Sequence, residues 1–342
     1  MLKDRNFNTM GIFKKDKLQI INFQSYGSAS RLYVRGRAIE DENIDLDQKG
    51  IFNLMHNTWK RFETDEIRNT AIKITLSNGK SVQGTTDDDG YYLIDEDING
   101  LHDLANDEGW VNFELSFTDT NLKREILLKN KFPGEMLIPS EHAKFGVISD
   151  IDDTILHTGV VSSLKWKVII NTMFKRATKR RQLDGASDFY MKLHHGKTGD
   201  EANPIFYVSH SPWNLYRYLQ LFLKTNNFPK GPLLLRSMAS FRMRKKNDEK
   251  PQKQREISNL LKSYPDLPFI LIGDSGEKDG DIYQEISTLF PGRIKAIYLR
   301  SVNDAKRMAR IENLFVDFKD IPFLMVNKTK EAIAHAKDHG FI

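Results

Sequence analysis

The chain has 342 residues, 39% of them hydrophobic and none of them cysteine, which suits two domains with packed cores and excludes disulfides, thiolate zinc sites and a cysteine nucleophile. Its net charge of +5 hides an asymmetry: residues 1–140 carry 18 Lys+Arg against 23 Asp+Glu, whereas residues 141–342 carry 33 against 23. The basic C-terminal part either meets an anionic partner (a phosphorylated substrate, an acidic lipid surface or nucleic acid) or is a solvated face.

In chain order, residues 1–17 read as a flexible polar lead-in without the apolar stretch of a signal peptide, and no later run approaches the ~18–20 apolar residues of a membrane span. A cytoplasmic protein is expected. Residues 18–139 mix β-branched and aromatic residues between Gly, Asn and Asp turns, as in SRLYVRGRAI, TAIKITLSNG and WVNFELSFTD. That texture predicts an accessory β-sandwich domain, with one helical insert near 50–64. Asp87, Asp88 and Asp89 before Gly90 fit a turn between strands better than a calcium loop. The two prolines and glycine of 131–144 mark a linker.

From 140 to 342 the texture changes. Short apolar runs at 145–149, 205–209, 232–235, 269–273 and 294–299 alternate with amphipathic stretches such as 213–225, where Leu215, Leu219 and Phe222 share a face. Buried strands alternating with helices predict a parallel sheet covered on both faces. In such sheets ligands bind at the carboxyl ends of the strands. The residues found there are Asp150-Ile151-Asp152-Asp153-Thr154, then Ser209-His210-Ser211, then Gly273-Asp274-Ser275-Gly276-Glu277-Lys278-Asp279. Acids gathered at one edge repel one another, and a hard cation with oxygen ligands relieves them; Mg²⁺ is the usual one where phosphate is handled. Arg236 ends a strand at the same edge, where it would anchor substrate phosphate or a loop.

DIDDT after a strand resembles the first motif of the haloacid dehalogenase-like phosphatases. Ser209, Lys253 and GDSGEKD stand in the order of that superfamily's second, third and fourth motifs. VSHSPWNL, GPLLLRS, KQREISNLL and IKAIYLRSV narrow the likeness over 140–342 to the phosphatidate phosphatase family first known from actin-patch-associated yeast enzymes. Gln252 stands where such relatives often carry His, so Lys250 remains an alternative to Lys253.

The resemblance implies a Rossmann-like, haloacid dehalogenase-like phosphatase domain with a cap insert at about 158–203. It implies Asp150 as nucleophile and Asp152 as acid and base, held by Thr154. Ser209 would bind a phosphoryl oxygen, helped by Ser211, and Lys253 would supply positive charge. Mg²⁺ would lie on Asp150, the Asp152 carbonyl and Asp274, with Asp279 in support. His210 would shape the neighbourhood.

The substrate implied is phosphatidate. A soluble phosphomonoester or a nucleic-acid end is the alternative, although no stacking surface for nucleic acid is visible. A binding module without catalysis is a further one. Within the insert, Trp166, Ile169, Ile170, Met173, Phe174 and Ala177 follow helical spacing among Lys165, Lys167, Lys175, Arg176, Lys179, Arg180 and Arg181. This helix either packs on the core or lies peripherally on an anionic membrane.

Overall fold

The structure is a computed structural model, which describes residues 17–41, 66–119, 122, 124–151, 185–236, 250–276, 278–302 and 304–342. The helix expected near 50–64, the segment 165–181, Asp152 and Thr154 lie outside the described residues.

The N-terminal strands are β1 (Lys17–Ser28), β2 (Arg31–Asp41), β3 (Ala71–Leu76), β4 (Ser81–Thr85), β5 (Tyr91–Asp97), β6 (Trp110–Phe117) and β7 (Phe132–Leu137). All seven belong to one sheet, ordered β4-β3-β6-β7-β1-β2-β5. The two packed sheets of a sandwich are therefore replaced by a single sheet that curls on itself, barrel-like. Its two edge strands approach so closely that a Cβ on Gly84 of β4 would lie 2.6 Å from the Ile94 side chain of β5. Curling lets one face enclose a core of its own, with Leu32, Val34, Ile72, Ile74, Ile94 and Leu115 inside. The stretch read as a linker is in its first half β7, paired with β6 along its length and with β1 only at Met136 and Leu137. Pro133 thus sits where β7 has no β1 partner, a position that tolerates a missing N–H. Asp87 folds as a turn between β4 and β5: its carboxylate accepts from the Asp89 and Tyr91 amides at 2.9 and 2.8 Å.

The C-terminal strands are β8 (Gly146–Asp150), β9 (Ile205–Pro212), β10 (Leu233–Arg236), β11 (Phe269–Asp274), β12 (Ile294–Arg300) and β13 (Phe323–Val326). They form a wholly parallel sheet ordered β10-β9-β8-β11-β12-β13. The chain starts at β8 in the middle, winds outward through β9 and β10, then crosses to β11 and winds the other way. β8 is therefore the point at which the winding reverses, where a crevice opens at the strand ends.

The helices are α1 (Ala186–His195), α2 (Tyr216–Thr225), α3 (Gln252–Ser263), α4 (Asp279–Leu289), α5 (Ala305–Phe315) and α6 (Thr329–Asp338). One sheet face carries Val147, Ile270, Ile272 and Tyr298 against α1, α2 and α6. The other carries Ile148, Leu271, Ile297 and Leu299 against α3, α4 and α5. Helix α1 falls within the range expected for a cap insert, yet Phe189, Tyr190 and Leu193 are buried in the body of the sheet layer.

The two sheets share their packing. β1 carries a bulge between Phe23 and Tyr26, where Gln24 and Ser25 together oppose Val34. The extra residue lets two side chains three apart point the same way. Phe23 enters the core under α2, and Tyr26 enters the core under α3.

Candidate active site

The site is assembled at the carboxyl edge of the parallel sheet. β8 is apolar on both faces up to Ser149 and then delivers Asp150, which is 1% exposed. Helix α3 begins after Pro251, whose ring cannot continue a strand but suits a helix start. Gln252 ties that start to β10 by donating from Nε2 to the Leu235 carbonyl at 2.9 Å. Lys253 is thereby aimed at the strand ends and is itself 1% exposed. Its Nζ donates to Asp150 Oδ1 at 2.8 Å and to Asp279 Oδ1 at 2.5 Å. A buried ammonium is tolerated only when paired and hydrogen-bonded, and these two carboxylates provide that.

Asp279 opens α4 and is held by a second bond, in which Oδ2 accepts from the Asp274 amide at 3.1 Å. Gly273 permits the approach: a Cβ there would lie 2.5 Å from Asp279 Oδ2. Asp274 ends β11 next to β8, 3% exposed, and its Oδ1 accepts from the Gly276 amide at 2.5 Å. Asp150, Lys253, Asp274 and Asp279 are thus brought together by β8, α3, β11 and α4. The alternative lysine, Lys250, pairs instead with Glu285 at 2.6 Å on the exposed surface.

On β9, Ser209 and Ser211 are buried on one side of the strand, and Ser209 Oγ accepts from the Ser211 amide at 2.9 Å. His210, between them, points to the opposite side as strand alternation requires. Arg236 closes β10 opposite Pro212, two strands from β8.

Two features were not visible in the sequence. Ser149 Oγ lies 2.6 Å from the Tyr190 hydroxyl, linking β8 beside Asp150 to α1. Burial pushes the Tyr190 hydroxyl above its usual range, while the Ser149 bond opposes that. Tyr190 also lines a small, largely apolar cleft, half open to solvent, with Phe189, Ile272, Tyr298, Ala332 and Arg300. Gly273, the neighbour of Asp274, belongs to the same lining. An apolar run read only for strand pattern could not reveal this cleft, because α1 and α6 form its far wall.

For a divalent cation, the described donors are hard oxygens, Asp150 and Asp274, on paired neighbouring strands. Among the described residues no three acidic or imidazole groups converge as a cage. Two carboxylates without a full protein cage suit Mg²⁺, which keeps several waters and shares its shell with phosphate oxygens.

This combination, a parallel α/β layer with buried acids and a lysine at its winding reversal, defines the class to which the comparisons point. Residues 145–301 match the family model described as phosphatidate phosphatase APP1, catalytic domain, and over that segment the chain is similar to that domain. The chain is 29% identical over 286 residues to phosphatidate phosphatase APP1 of Saccharomyces cerevisiae, covering 78% of this chain and 45% of that protein. An uncharacterised protein of Schizosaccharomyces pombe is 29% identical over 221 residues, 64% of this chain and 34% of the relative. The chain therefore spans less than half the length of these curated relatives. A solved structure, Bacteroides thetaiotamicron EndoBT-3987 with Man5GlcNAc product, aligns at a TM-score of 0.20 and 9% identity over 83% of this chain and 73% of that one, too weakly to bear on the fold.

Proposed function

We propose that this chain is a Mg²⁺-dependent phosphomonoester hydrolase of haloacid dehalogenase type whose substrate is phosphatidate, cleaved to diacylglycerol and phosphate. The observation that carries the reading is Lys253, buried at the strand edge and bonded to both Asp150 and Asp279. A structural core gains little from a buried ion pair over apolar packing, whereas phosphoryl transfer needs a fixed carboxylate beside a fixed cation.

In the proposed reaction Asp150 attacks phosphorus, a new P–O bond forms, and the ester P–O bond breaks. Asp152 gives a proton to the departing alkoxide. It then takes one from the water that attacks the aspartyl-phosphate, and inorganic phosphate leaves as Asp150 is restored. Thr154 holds Asp152. Ser209 and Ser211 donate to the phosphoryl oxygens, and Arg236 stands by to bind phosphate or anchor the loop after β10. Lys253, held by Asp279, stabilises the charge that develops on those oxygens. Asp150, the Asp152 carbonyl and Asp274 would hold Mg²⁺, which supplies charge neutralisation at the phosphoryl group.

The match to a phosphatidate phosphatase catalytic domain and the apolar cleft beside Gly273 favour a substrate with an apolar leaving group over a soluble phosphomonoester or a nucleic-acid end. No helix among the described residues is long and apolar enough to cross a membrane. The proposed route to a lipid substrate is peripheral contact with an anionic membrane, for which the basic stretch 165–181 is the candidate. The experiment is a substrate panel with Mg²⁺: phosphatidate in vesicles, glycerol 3-phosphate and an aryl phosphate. Preference for the soluble substrates would remove the lipid assignment, and no turnover of any of them would remove the phosphatase reading.

A further inference from the structure

The mechanism above leaves the curled N-terminal sheet without a role, yet one of its residues touches two of the segments that deliver site residues. In β2 every second residue from 31 to 37 is Arg31, Tyr33, Arg35 and Arg37, while Leu32 and Val34 between them fill the sheet's own core. Alternation therefore turns a stripe of three arginines and a tyrosine outward. A stripe of this kind normally faces water. Here Arg35 is covered by the catalytic body, with its side chain 14% exposed.

Its guanidinium makes a two-pronged pair with Glu256, Nη1 to Oε1 at 3.0 Å and Nη2 to Oε2 at 3.4 Å. Glu256 lies three residues after Lys253 on α3, so both project from one side of the helix. The same guanidinium sits 4.9 Å from the ring centre of Trp213. Trp213 starts the turn that follows Ser209 and Ser211 at the end of β9. Trp213 also meets Phe23 of β1, stacked at 4.0 Å and 9°. The β1 bulge that aims Phe23 is itself pinned by Arg35, whose amide donates to Ser25 Oγ at 3.0 Å. Burial by itself would pull the Arg35 guanidinium down, but Glu256, joined by Tyr33 and Tyr26, outweighs this and raises it above its ordinary value.

We propose that Arg35 is a positioning residue for the active site, holding the Lys253 helix through Glu256 and the Ser209–Ser211 strand end through Trp213. A planar fork that pairs with a carboxylate and stacks on an indole at once is something lysine cannot reproduce. Small displacements of a charged group cost rate steeply, up to about 10²-fold for ~1 Å.

The test uses the full chain and three variants. Arg35→Met alone leaves Glu256 charged in a buried place and is expected to lose stability. The decisive variant is Arg35→Met/Glu256→Gln, which removes both charges and keeps the apolar stem that packs the interface. Arg35→Lys keeps one ionic contact. Hydrogen exchange is followed in peptides from 205–225 and 252–263 and in the strands of the curled sheet. Turnover of an aryl phosphate is followed in parallel.

The expected result for the double variant is faster exchange confined to those two segments. With it, kcat falls about 10-fold or more while KM moves less than about 2-fold, as for a group acting on the transition state alone. Arg35→Lys should recover part of the lost kcat. Wild-type exchange in 252–263, or exchange raised equally everywhere, would overturn the proposal. The kinetic arm rests on the phosphatase reading and the exchange arm does not, so if the wild-type chain turns nothing over, exchange alone decides.

Discussion

At the scale of single residues, the site is a balance of three buried carboxylates and one ammonium. Asp150→Asn is nearly isosteric but cannot attack phosphorus, so turnover should disappear while the melting temperature stays close to wild type. Residual burst formation of a covalent phosphoenzyme in that variant would remove the assignment of Asp150. Lys253→Met should behave differently, because it strips the cation from Asp150 and Asp279. Leaving buried charge unpaired costs about 3–5 kcal/mol, so this variant should lose both activity and stability, which a denaturant midpoint would read. Gly273→Ala tests the geometry from the other side. Its Cβ would intrude on Asp279, and over-packing of this kind costs about 1–3 kcal/mol. If Gly273→Ala keeps wild-type kcat and stability, the close approach of Asp279 is not needed.

At the scale of elements, the strands that deliver site residues were the legible ones. The runs at 145–149, 205–209 and 269–273 are apolar on both faces over most of their length because helices cover both faces, and polar residues appear at their carboxyl ends: Ser149 and Asp150, Ser209, and Asp274. β13 went unread because FLMV is four half-buried residues at a sheet edge, too short to show a period. β7 was hidden by Pro133 and Gly134, which punctuate most sequences but here occupy a strand with an incomplete neighbour. Helix α6, beyond β13, carries a pH-sensitive contact. His335 lies 3.1 Å from the buried Tyr298 hydroxyl, and its ring centre is 4.1 Å from that of His339. Burial, and then the charge of His339, hold its pKa below the usual value. A base whose pKa is lowered on folding binds more protons unfolded than folded. Its contribution is therefore intact above the unfolded value of about 6.5 and is lost as pH falls below it. The melting temperature should drop between pH 7 and pH 5, by less in His335→Gln. An equal drop in both would assign the acid sensitivity elsewhere.

At the scale of the whole molecule, composition pointed to two units and the structure joins their sheets through a common interior. The sequence pattern could place inward residues of the curled sheet but not foresee that the outward face of β1 and β2 is also covered. An arginine-rich alternation carries the same signature whether it meets water or a helix. Phe23 packs between Trp213 and Tyr216, Tyr26 packs on Phe206 and Tyr264, and the Gln24 amide donates to the Tyr216 hydroxyl at 2.6 Å. Arg35 and Glu256 add a buried ion pair across the same boundary. Opening the boundary would expose several large aromatic rings, each contributing roughly 1.5–3 kcal/mol when fully buried, and would leave that ion pair to be resolvated. Neither sheet can therefore unfold without removing part of the other's core. Calorimetry of the intact chain should show one cooperative transition, with van't Hoff and calorimetric enthalpies in agreement. Two resolved transitions, with the curled sheet melting while aryl phosphate turnover persists, would show instead that the catalytic layer stands alone.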